Sequence, residues 1–306
     1  MASSASDSVL QVVRQAQAAV DSVVKDLSPT QRKNVQAVLF LAGLSSVVKH
    51  KKAAALSLAV NLAVFSLHAW PNRSDKFYDT TGALTHLSLA LFSILNQKKR
   101  ISHGQTLNTI FSIMWITRLG SFLYTRILTQ KKDVRFKDIK QNFDSFMMSF
   151  VLQSIWCYLG QLPLLVSNSN EDKEDKLTWS TYDILGRALF VVGFVFEVVS
   201  DAQKTAFNAD PKNHGRFINE GLWSISRHPN HFGEICLQFG IALSASRTFK
   251  NRTDRLAWLG PIFTTFLLTK VSGIPMLEKI GMERWGSDAE YLKYLRTVPM
   301  LIPRIL

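Results

Sequence analysis

The sequence predicts an all-α, multi-pass transmembrane bundle, and three observations support this prediction. The 306 residues are 47% hydrophobic, yet they carry a formal net charge of +13. Lys and Arg gather in loops between long apolar runs, whereas a nucleic-acid-binding protein would spread them over a soluble fold. Cys157 and Cys236 both lie within apolar segments, so a disulfide framework is not expected. We therefore expect the lipid bilayer as a partner, and no nucleic acid.

The first thirty residues carry apolar side chains at roughly helical spacing, up to Ser28 and Pro29. They predict an amphipathic surface helix at residues 1–30, ahead of a single membrane domain at 31–306. A partly disordered tail is the alternative, because Gln17 and Asp21 interrupt the stripe.

Apolar stretches separated by charged loops follow. They are Val35–Val48, Ala53–Trp70, Thr80–Leu95, Leu107–Tyr124, Phe143–Val166, Tyr182–Ser200, Phe232–Ala245 and Leu256–Leu277. A spanning helix needs about 20 apolar residues, so the longer stretches qualify and the shorter ones could be tilted, re-entrant or packed within the bundle. We predict six to eight membrane helices.

The loop charges orient only the second half of the chain. If the basic run 126–140 faces the cytosol, the acidic loop 171–175 faces away and the connector 201–230 is cytosolic. The basic loops 49–52 and 98–100 do not fit a strict alternation, so at least one early segment is not a simple span.

The most informative block is GLWSISRHPNHFGEICLQFG, residues 221–240. Pro229 disfavours the helical region for His228, so Arg227 and His228 should lie in an extended turn before a helix that Asn230 can cap. Glu234 then falls inside an apolar segment, where an unpaired carboxylate is costly. Trp223 precedes the turn and could form a flat wall.

Three polar residues share one helical face just before this block. Glu197, Asp201 and Lys204 are spaced by four and then three residues. A ladder of interfacial salt bridges with a snorkelling lysine is the alternative interpretation. The loop 213–216 supplies further cations and leads to Trp223, and such a combination suits phosphate and nucleotide recognition.

A second polar patch follows the last apolar stretch. Its members are Glu278, Arg284, Trp285, Tyr291 and Tyr294. An ordinary solvated helix with interfacial aromatics is the alternative.

Arg118 interrupts the apolar run at 107–124, where an arginine needs a carboxylate, a carbonyl or water. We expect a structural ion pair with Glu197 or Asp183.

Metal binding and the common nucleotide motifs are not expected. The seven histidines are scattered, and neither HExxH nor paired CxxC occurs. Pro229 argues against a shared helical face for His228 and His231. The chain also lacks GxSxG, GxGxxG and a P-loop, so any nucleotide would be held without a Rossmann or Walker motif.

The segments DAQKTAF, GLWSISRHPNHFGE and RWGSDAEYLKYLRTVPMLIP resemble the DUF1295 family, in the steroid 5-alpha-reductase C-terminal-domain superfamily. TRLGSFLYTRILTQKKDVRF also resembles that pattern, so the similarity covers roughly residues 105–306. Sterol C14 reductases and isoprenylcysteine methyltransferases are related, and the methyltransferases share an RHPxYxG element.

The reductase branch implies an NADPH pocket on the cytosolic side. The resemblance places Lys204 at the 2'-phosphate or nearby phosphates. It lines the cofactor pocket with Trp223, Arg227, Asn230 and His231, and closes it with Glu278, Arg284 and Tyr294. Tyr294, Glu234 and His228 are the candidate catalytic acids, although Glu234 could instead orient Arg227 or His228.

Three positions depart from the related patterns. His231 stands where a tyrosine is usual, and Asn208 replaces an arginine one turn beyond the lysine, which weakens the reductase case. Leu277 replaces the acidic residue before Glu278, which weakens the methyltransferase case.

The sequence therefore predicts a membrane-embedded NADPH-dependent reductase of a carbon–carbon double bond in a steroid-like or enoyl lipid. An isoprenylcysteine-type methyltransferase using S-adenosylmethionine is the alternative, and a non-catalytic membrane protein is the third possibility. The resemblance implies the endoplasmic reticulum, with the cofactor site facing the cytosol.

Overall fold

A computed structural model describes residues 27–97, 99–130, 136–172 and 180–304, and within those ranges the regular structure is helical without strands. The α-helices there are α1 (Pro29–Val47), α2 (Lys51–Val64), α3 (Tyr78–Leu95), α4 (His103–Gln130), α5 (Phe143–Ser169), α6 (Thr181–Ala209), α7 (Pro229–Ser246), α8 (Leu259–Phe266), α9 (Ile274–Trp285) and α10 (Ala289–Thr297). The predicted all-α fold is confirmed.

The predicted N-terminal helix lies almost wholly outside the described residues, so it stays a prediction. Ser28, expected near its end, is the N-cap of α1: the hydroxyl accepts from the Gln31 backbone, and the Gln31 side chain accepts from the Ser28 backbone. This reciprocal pair satisfies two amides at the helix start, with Pro29 at the first helical position.

The helices follow the predicted apolar stretches except at the last one. The sequence predicts a continuous segment at 256–277, whereas the structure has α8, a π-helical turn at Leu267–Val271, and a break at Gly273 before α9. Pro275 lies in the first turn of α9 and has no N–H to continue a preceding helix, which explains the break.

Three helical segments in the described ranges are long and apolar enough to cross a membrane. They are Lys51–Ala69, Phe143–Ser169 and Arg252–Trp285. The chain is therefore a helical protein with membrane-type segments.

The chain divides into two compact units. The first comprises the described parts of Met1–Gly82 and Tyr124–Ile155. Its core is aromatic, built on Phe65, Phe146 and Phe150 with ring centroids 5.4–5.6 Å apart. An ion pair of 2.7 Å between Lys140 and Asp75 ties the segment before α5 to the start of α3.

The second unit comprises the described parts of Ala83–Leu123 and Trp156–Leu306. Here α6 and α7 pack antiparallel with their backbones in contact, and glycine makes this approach possible. A Cβ on Gly193 would lie 2.5 Å from the carbonyl oxygen of Gly233, and one on Gly186 would lie 2.7 Å from that of Gly240. Each helix therefore carries two glycines seven residues apart, and these four glycines allow the two helices to pack closely.

We expect Gly193→Ala to destabilise the protein by about 1–3 kcal/mol, because the added methyl group must displace backbone atoms. Thermal unfolding of the purified protein in detergent measures the effect. The control is Gly43→Ala, since no described residue outside the adjacent turns of its own helix has an atom within 4 Å of a Cβ built at Gly43. Equal melting temperatures for the two variants would refute the close backbone contact.

Candidate functional site

The candidate site lies at one end of the α6–α7 pair. The glycine contact brings the C-terminal half of α6 beside the first turns of α7: a Cβ on Gly233 would lie 2.6 Å from the Glu197 backbone nitrogen. The polar face of α6 predicted from Glu197, Asp201 and Lys204 therefore meets the block around Pro229.

Arg118 of α4 joins the two carboxylates of that face. Its guanidinium donates to Glu197 Oε1 at 2.6 Å and to Asp201 Oδ2 at 2.5 Å, and it also donates to the Glu197 carbonyl at 3.0 Å. Glu197 and Asp201 are both buried. Of the two predicted partners Glu197 is therefore confirmed, and the second partner is Asp201. Asp183 instead pairs with Arg187 and Arg247 near the other end of α6.

Asn230 does not cap α7. Because Pro229 occupies the first helical position, His228 is the N-cap residue, with no capping side-chain hydrogen bond. The Asn230 amide reaches back to α6 and donates to Asp201 Oδ1 at 3.2 Å. Asp201 is thus shared between Arg118 and Asn230.

Glu278 of α9 holds the residues of the turn. It accepts from Arg227 Nη1 at 2.5 Å and contacts His228 Nε2 at 2.8 Å. Glu234 has a different environment, within electrostatic range of Asp201 and Arg118. The orienting carboxylate of Arg227 and His228 is therefore Glu278, and not the expected Glu234.

His228 and His231 stack on each other, with ring centroids 5.5 Å apart and an interplanar angle of 22°. The rings meet although His228 is the N-cap residue with non-helical backbone angles, so the two histidines do not share a helical face, as the sequence predicted. Burial lowers the pKa of His228, against the opposing effect of Glu278, so His228 is neutral at pH 7.

The C-terminal tail fixes this turn. Arg227 N donates to the Pro299 carbonyl and Arg304 N to the Ile225 carbonyl, both at 2.9 Å. The buried Ser226 hydroxyl donates to the Leu301 carbonyl at 2.7 Å. Three tail contacts on consecutive residues therefore hold Arg227 and His228 in place.

Trp223 is buried, at 4% exposure, and packs with Phe207 and Ile218. Its indole N–H donates to the Ser200 carbonyl at 3.0 Å, and Lys204 Nζ lies 4.5 Å from the ring centroid. The ring is therefore a supporting wall with Lys204 on one face, which is a cation–π arrangement.

An aromatic cluster from α9 and α10 covers the connector. Phe217 contacts the rings of Trp285, Tyr291 and Tyr294, with centroids 5.0–6.0 Å apart. Tyr294 Oη donates to the Trp223 carbonyl at 2.8 Å, and burial raises its pKa, so its hydroxyl stays protonated at neutral pH. The C-terminal helix is thus packed against the site.

Exposed cations line the rim. The Trp285 indole donates to the Gly215 carbonyl at 2.6 Å, which ties the connector to α9. Arg216 and Arg284, the chain neighbours of these two residues, are both exposed. Arg284 is thus outside the buried ion pairs, at the edge of the site.

The buried part of the site contains polar atoms without a hydrogen-bond partner among the described residues. They are Glu197 Oε2, Arg227 Nε, His228 Nδ1, Asn230 Oδ1 and His231 Nδ1. Unpaired buried groups cost about 1–3 kcal/mol each, so their concentration here fits a polar ligand or ordered water. Donors and acceptors of this kind, with Lys204 beside them, fit a nucleotide. In the described ranges, no group of three or more His, Cys, Asp or Glu is placed to hold a metal ion.

Sequence reasoning missed the contribution of Ser226 and of the tail at 299–304. The Ser226 hydroxyl and the backbone atoms of the tail make these contacts, and no pattern in the sequence signals them. Ser226 directly precedes the predicted turn at Arg227 and His228, and only the fold shows that it is fully buried.

The family profile of DUF1295, described as a protein of unknown function, matches residues 64–298. The chain therefore belongs to the DUF1295 family, and the match begins earlier than the motifs at 105–306 indicated.

A probable O-methyltransferase from Ustilaginoidea virens is 34% identical to this chain over 64 residues. The match covers 21% of this chain and 22% of that protein. No solved structure matches the chain.

The lowered pKa of His228 predicts a pH effect on stability. Between the ordinary histidine pKa of about 6.5 and the lower folded-state value, the unfolded chain binds a proton that the folded chain does not. Stability is therefore full above about pH 6.5 and falls as the pH drops below it.

His228→Gln should lose less stability than the wild type between pH 7.5 and pH 5.5, measured as melting temperature in detergent. Identical pH profiles would show that His228 does not titrate on unfolding. His214→Gln, at an exposed position of the connector, is the control and should follow the wild type.

Proposed function

We propose that the protein is a membrane-embedded, NADPH-dependent reductase of a carbon–carbon double bond in a steroid-like or enoyl lipid. The observation that carries this proposal is the charge arrangement. Lys204 on Trp223 and the exposed Arg216 and Arg284 supply cations, and the site also contains buried polar atoms for which the described part of the chain provides no hydrogen-bond partner. A ligand with several phosphates and a polar ring matches both regions.

In this proposal Lys204 binds the 2'-phosphate or its neighbours, and Arg284 faces the remaining phosphate charge at the rim. Asn230 and His231 line the pocket, while Glu278 positions Arg227 and His228. Trp223 supports Lys204 from below. Tyr294 holds the Trp223 backbone and closes the pocket from α10.

NADPH, when bound, supplies a hydride. Among the candidate acids, Tyr294 donates its hydroxyl proton to the Trp223 carbonyl, and His228 is hydrogen-bonded to Glu278. Glu234 is the candidate whose carboxyl group makes no hydrogen bond with a described residue, so we assign it the proton that reaches the substrate carbon.

We further propose six to eight membrane helices. Beyond the three apolar segments, α6 exposes Ile184, Leu185, Val191 and Val195. Its Asp183 and Asp201 are 18 residues apart, about 27 Å along a helix, which is close to the thickness of the hydrocarbon core. The resemblance supports placement in the endoplasmic reticulum with the rim in the cytosol.

A methyltransferase using S-adenosylmethionine is the second candidate, favoured by the partial match to an O-methyltransferase. S-adenosylmethionine carries one carboxylate and no phosphate, so this cofactor would supply no phosphate for the cations on the rim. Leu277 stands where the methyltransferase pattern has an acidic residue, which also disfavours the methyltransferase.

Equilibrium binding to the purified protein in detergent separates the two. We expect NADPH to raise the melting temperature and S-adenosylmethionine to leave it unchanged. Stabilisation by S-adenosylmethionine alone would replace the reductase with the methyltransferase, and stabilisation by neither would favour a non-catalytic protein.

Lys204→Ala should weaken NADPH binding about tenfold or more and NADH binding less than about twofold, because only NADPH carries the 2'-phosphate. Calorimetric dissociation constants measure both. The control is Lys250→Ala, an exposed lysine that follows α7 at its far end. Equal losses for the two nucleotides would reject the phosphate role of Lys204.

A further inference from the structure

The basic turn, residues 49–52 between α1 and α2, concentrates exposed positive charge in the first unit. Lys49, Lys51 and Lys52 lie within four consecutive residues, and all three are exposed. No Asp or Glu occurs in the sequence from residue 27 to residue 74, a stretch that includes both helices. The hairpin of α1 and α2 therefore carries no acidic side chain that could neutralise these lysines.

The acidic residues described in the first unit lie away from the basic turn. They are Asp75, Asp79, Asp138 and Asp144. The first two follow the segment Lys51–Ala69, whose 19 residues rise about 28 Å along a helix axis. The other two flank the start of α5, where the Asp144 carbonyl accepts from Asn34, about 20 Å along α1 from Val47. Because surface charges are largely screened beyond about 8 Å at physiological ionic strength, these carboxylates do not neutralise the turn.

Lys49 has an uncommon backbone conformation. Its φ is 60°, in the left-handed region that glycine usually occupies at the end of a helix. The Lys49 amide donates to the Ser46 carbonyl at 3.2 Å, and the His50 amide donates to the Ser45 carbonyl at 2.8 Å. These two bonds form a Schellman motif, in which a residue other than glycine costs free energy. A lysine at a position that favours glycine indicates that its side chain has a role beyond ending α1.

The basic turn lies where a membrane surface is expected. Lys51–Ala69, one of the three segments long and apolar enough to cross a membrane, begins within the turn. On the other side of the turn, α1 exposes Leu39, Phe40 and Val47. Apolar side chains on both helices would enter the hydrocarbon, while the lysines stay at the level of the headgroups. Lysines at that level attract anionic lipids.

We propose that the basic turn is a binding site for the headgroups of anionic phospholipids. Ammonium groups bind phosphate and carboxylate oxygens through charge-assisted hydrogen bonds, and the fixed backbone of the turn keeps the three lysines together before a lipid binds. The turn precedes residues 64–298, which match the family profile, so the site belongs to the part of this chain outside that match. The inference rests on the membrane placement proposed above and is independent of the reductase activity.

The test uses the full chain, purified and reconstituted into phosphatidylcholine vesicles. Electron spin resonance of spin-labelled phosphatidylserine and phosphatidylcholine gives the ratio of their association constants with the protein. A lysine near an anionic surface is worth about fivefold in affinity, and averaging over the other lipids around the protein reduces the effect, so we expect phosphatidylserine to be preferred about threefold or more. Equal association of the two lipids would overturn the proposal.

Variants assign the preference to the turn. Lys49→Gln, Lys51→Gln and Lys52→Gln in combination should lower the preference for phosphatidylserine about twofold or more, because three charges are lost. The matched control has arginine at the same three positions, which keeps the charges and should keep the preference. A glutamine variant with the wild-type preference would show that the lipid binds elsewhere and would overturn the proposal.

Lys49→Gly separates headgroup binding from folding. Glycine adopts the left-handed conformation without steric cost, so the melting temperature should equal or exceed that of the wild type. The preference for phosphatidylserine should nevertheless fall, because one charge is lost. An unchanged preference in this variant would contradict the proposed role of Lys49.

The remaining outcomes separate this site from the other proposals. Protein that does not float with the vesicles would refute the membrane placement, whereas floating protein without a lipid preference would refute the site alone. Displacement of phosphatidylserine by inorganic phosphate, but not by chloride at equal ionic strength, would indicate a site for free phosphate and overturn the lipid assignment. NADPH is absent throughout, so none of these results depends on the reductase proposal.

Discussion

The guanidinium of Arg118 forms ion pairs with two buried carboxylates, those of Glu197 and Asp201. Glu197 and Asp201 both depend on it, and Asp201 in turn positions Asn230. A buried ion pair is costly to assemble and more costly to break, because removing one partner leaves a desolvated charge. Arg118 therefore determines where α4 lies against α6 and how the first turn of α7 is held. The glycine contact between α6 and α7 is the steric condition for this arrangement.

The rest of the site is built outward from that ion pair. Glu278 and the tail at 299–304 secure Arg227 and His228 from the other side, so the turn is held by a carboxylate and by backbone hydrogen bonds. Lys204 lies over one face of Trp223 and is also within electrostatic range of the buried Asp201. In the proposed function, the cations on the rim face the phosphates and the buried polar atoms face the reacting group.

The sequence predicts the helical fold and most helix positions, because apolar periodicity and charged loops report burial directly. It also predicts the shared face of Glu197, Asp201 and Lys204, since helical spacing fixes it. The cap of α7 is predicted wrongly, because Asn230 has an alternative partner 29 residues earlier in the chain. The tail contacts could not be predicted, since they depend on tertiary neighbours, whereas the break at Gly273 follows from Pro275 and was missed.

The coupling between Arg118 and Asp201 tests the account most directly. Melting temperatures and unfolding free energies in detergent are compared for Arg118→Met, Asp201→Asn and the double variant. We expect the double variant to be more stable than the sum of the single losses by about 1 kcal/mol or more, because Asp201→Asn removes a charge that Arg118→Met leaves unpaired. Additivity within about 0.5 kcal/mol would contradict the ion pair and the site built on it.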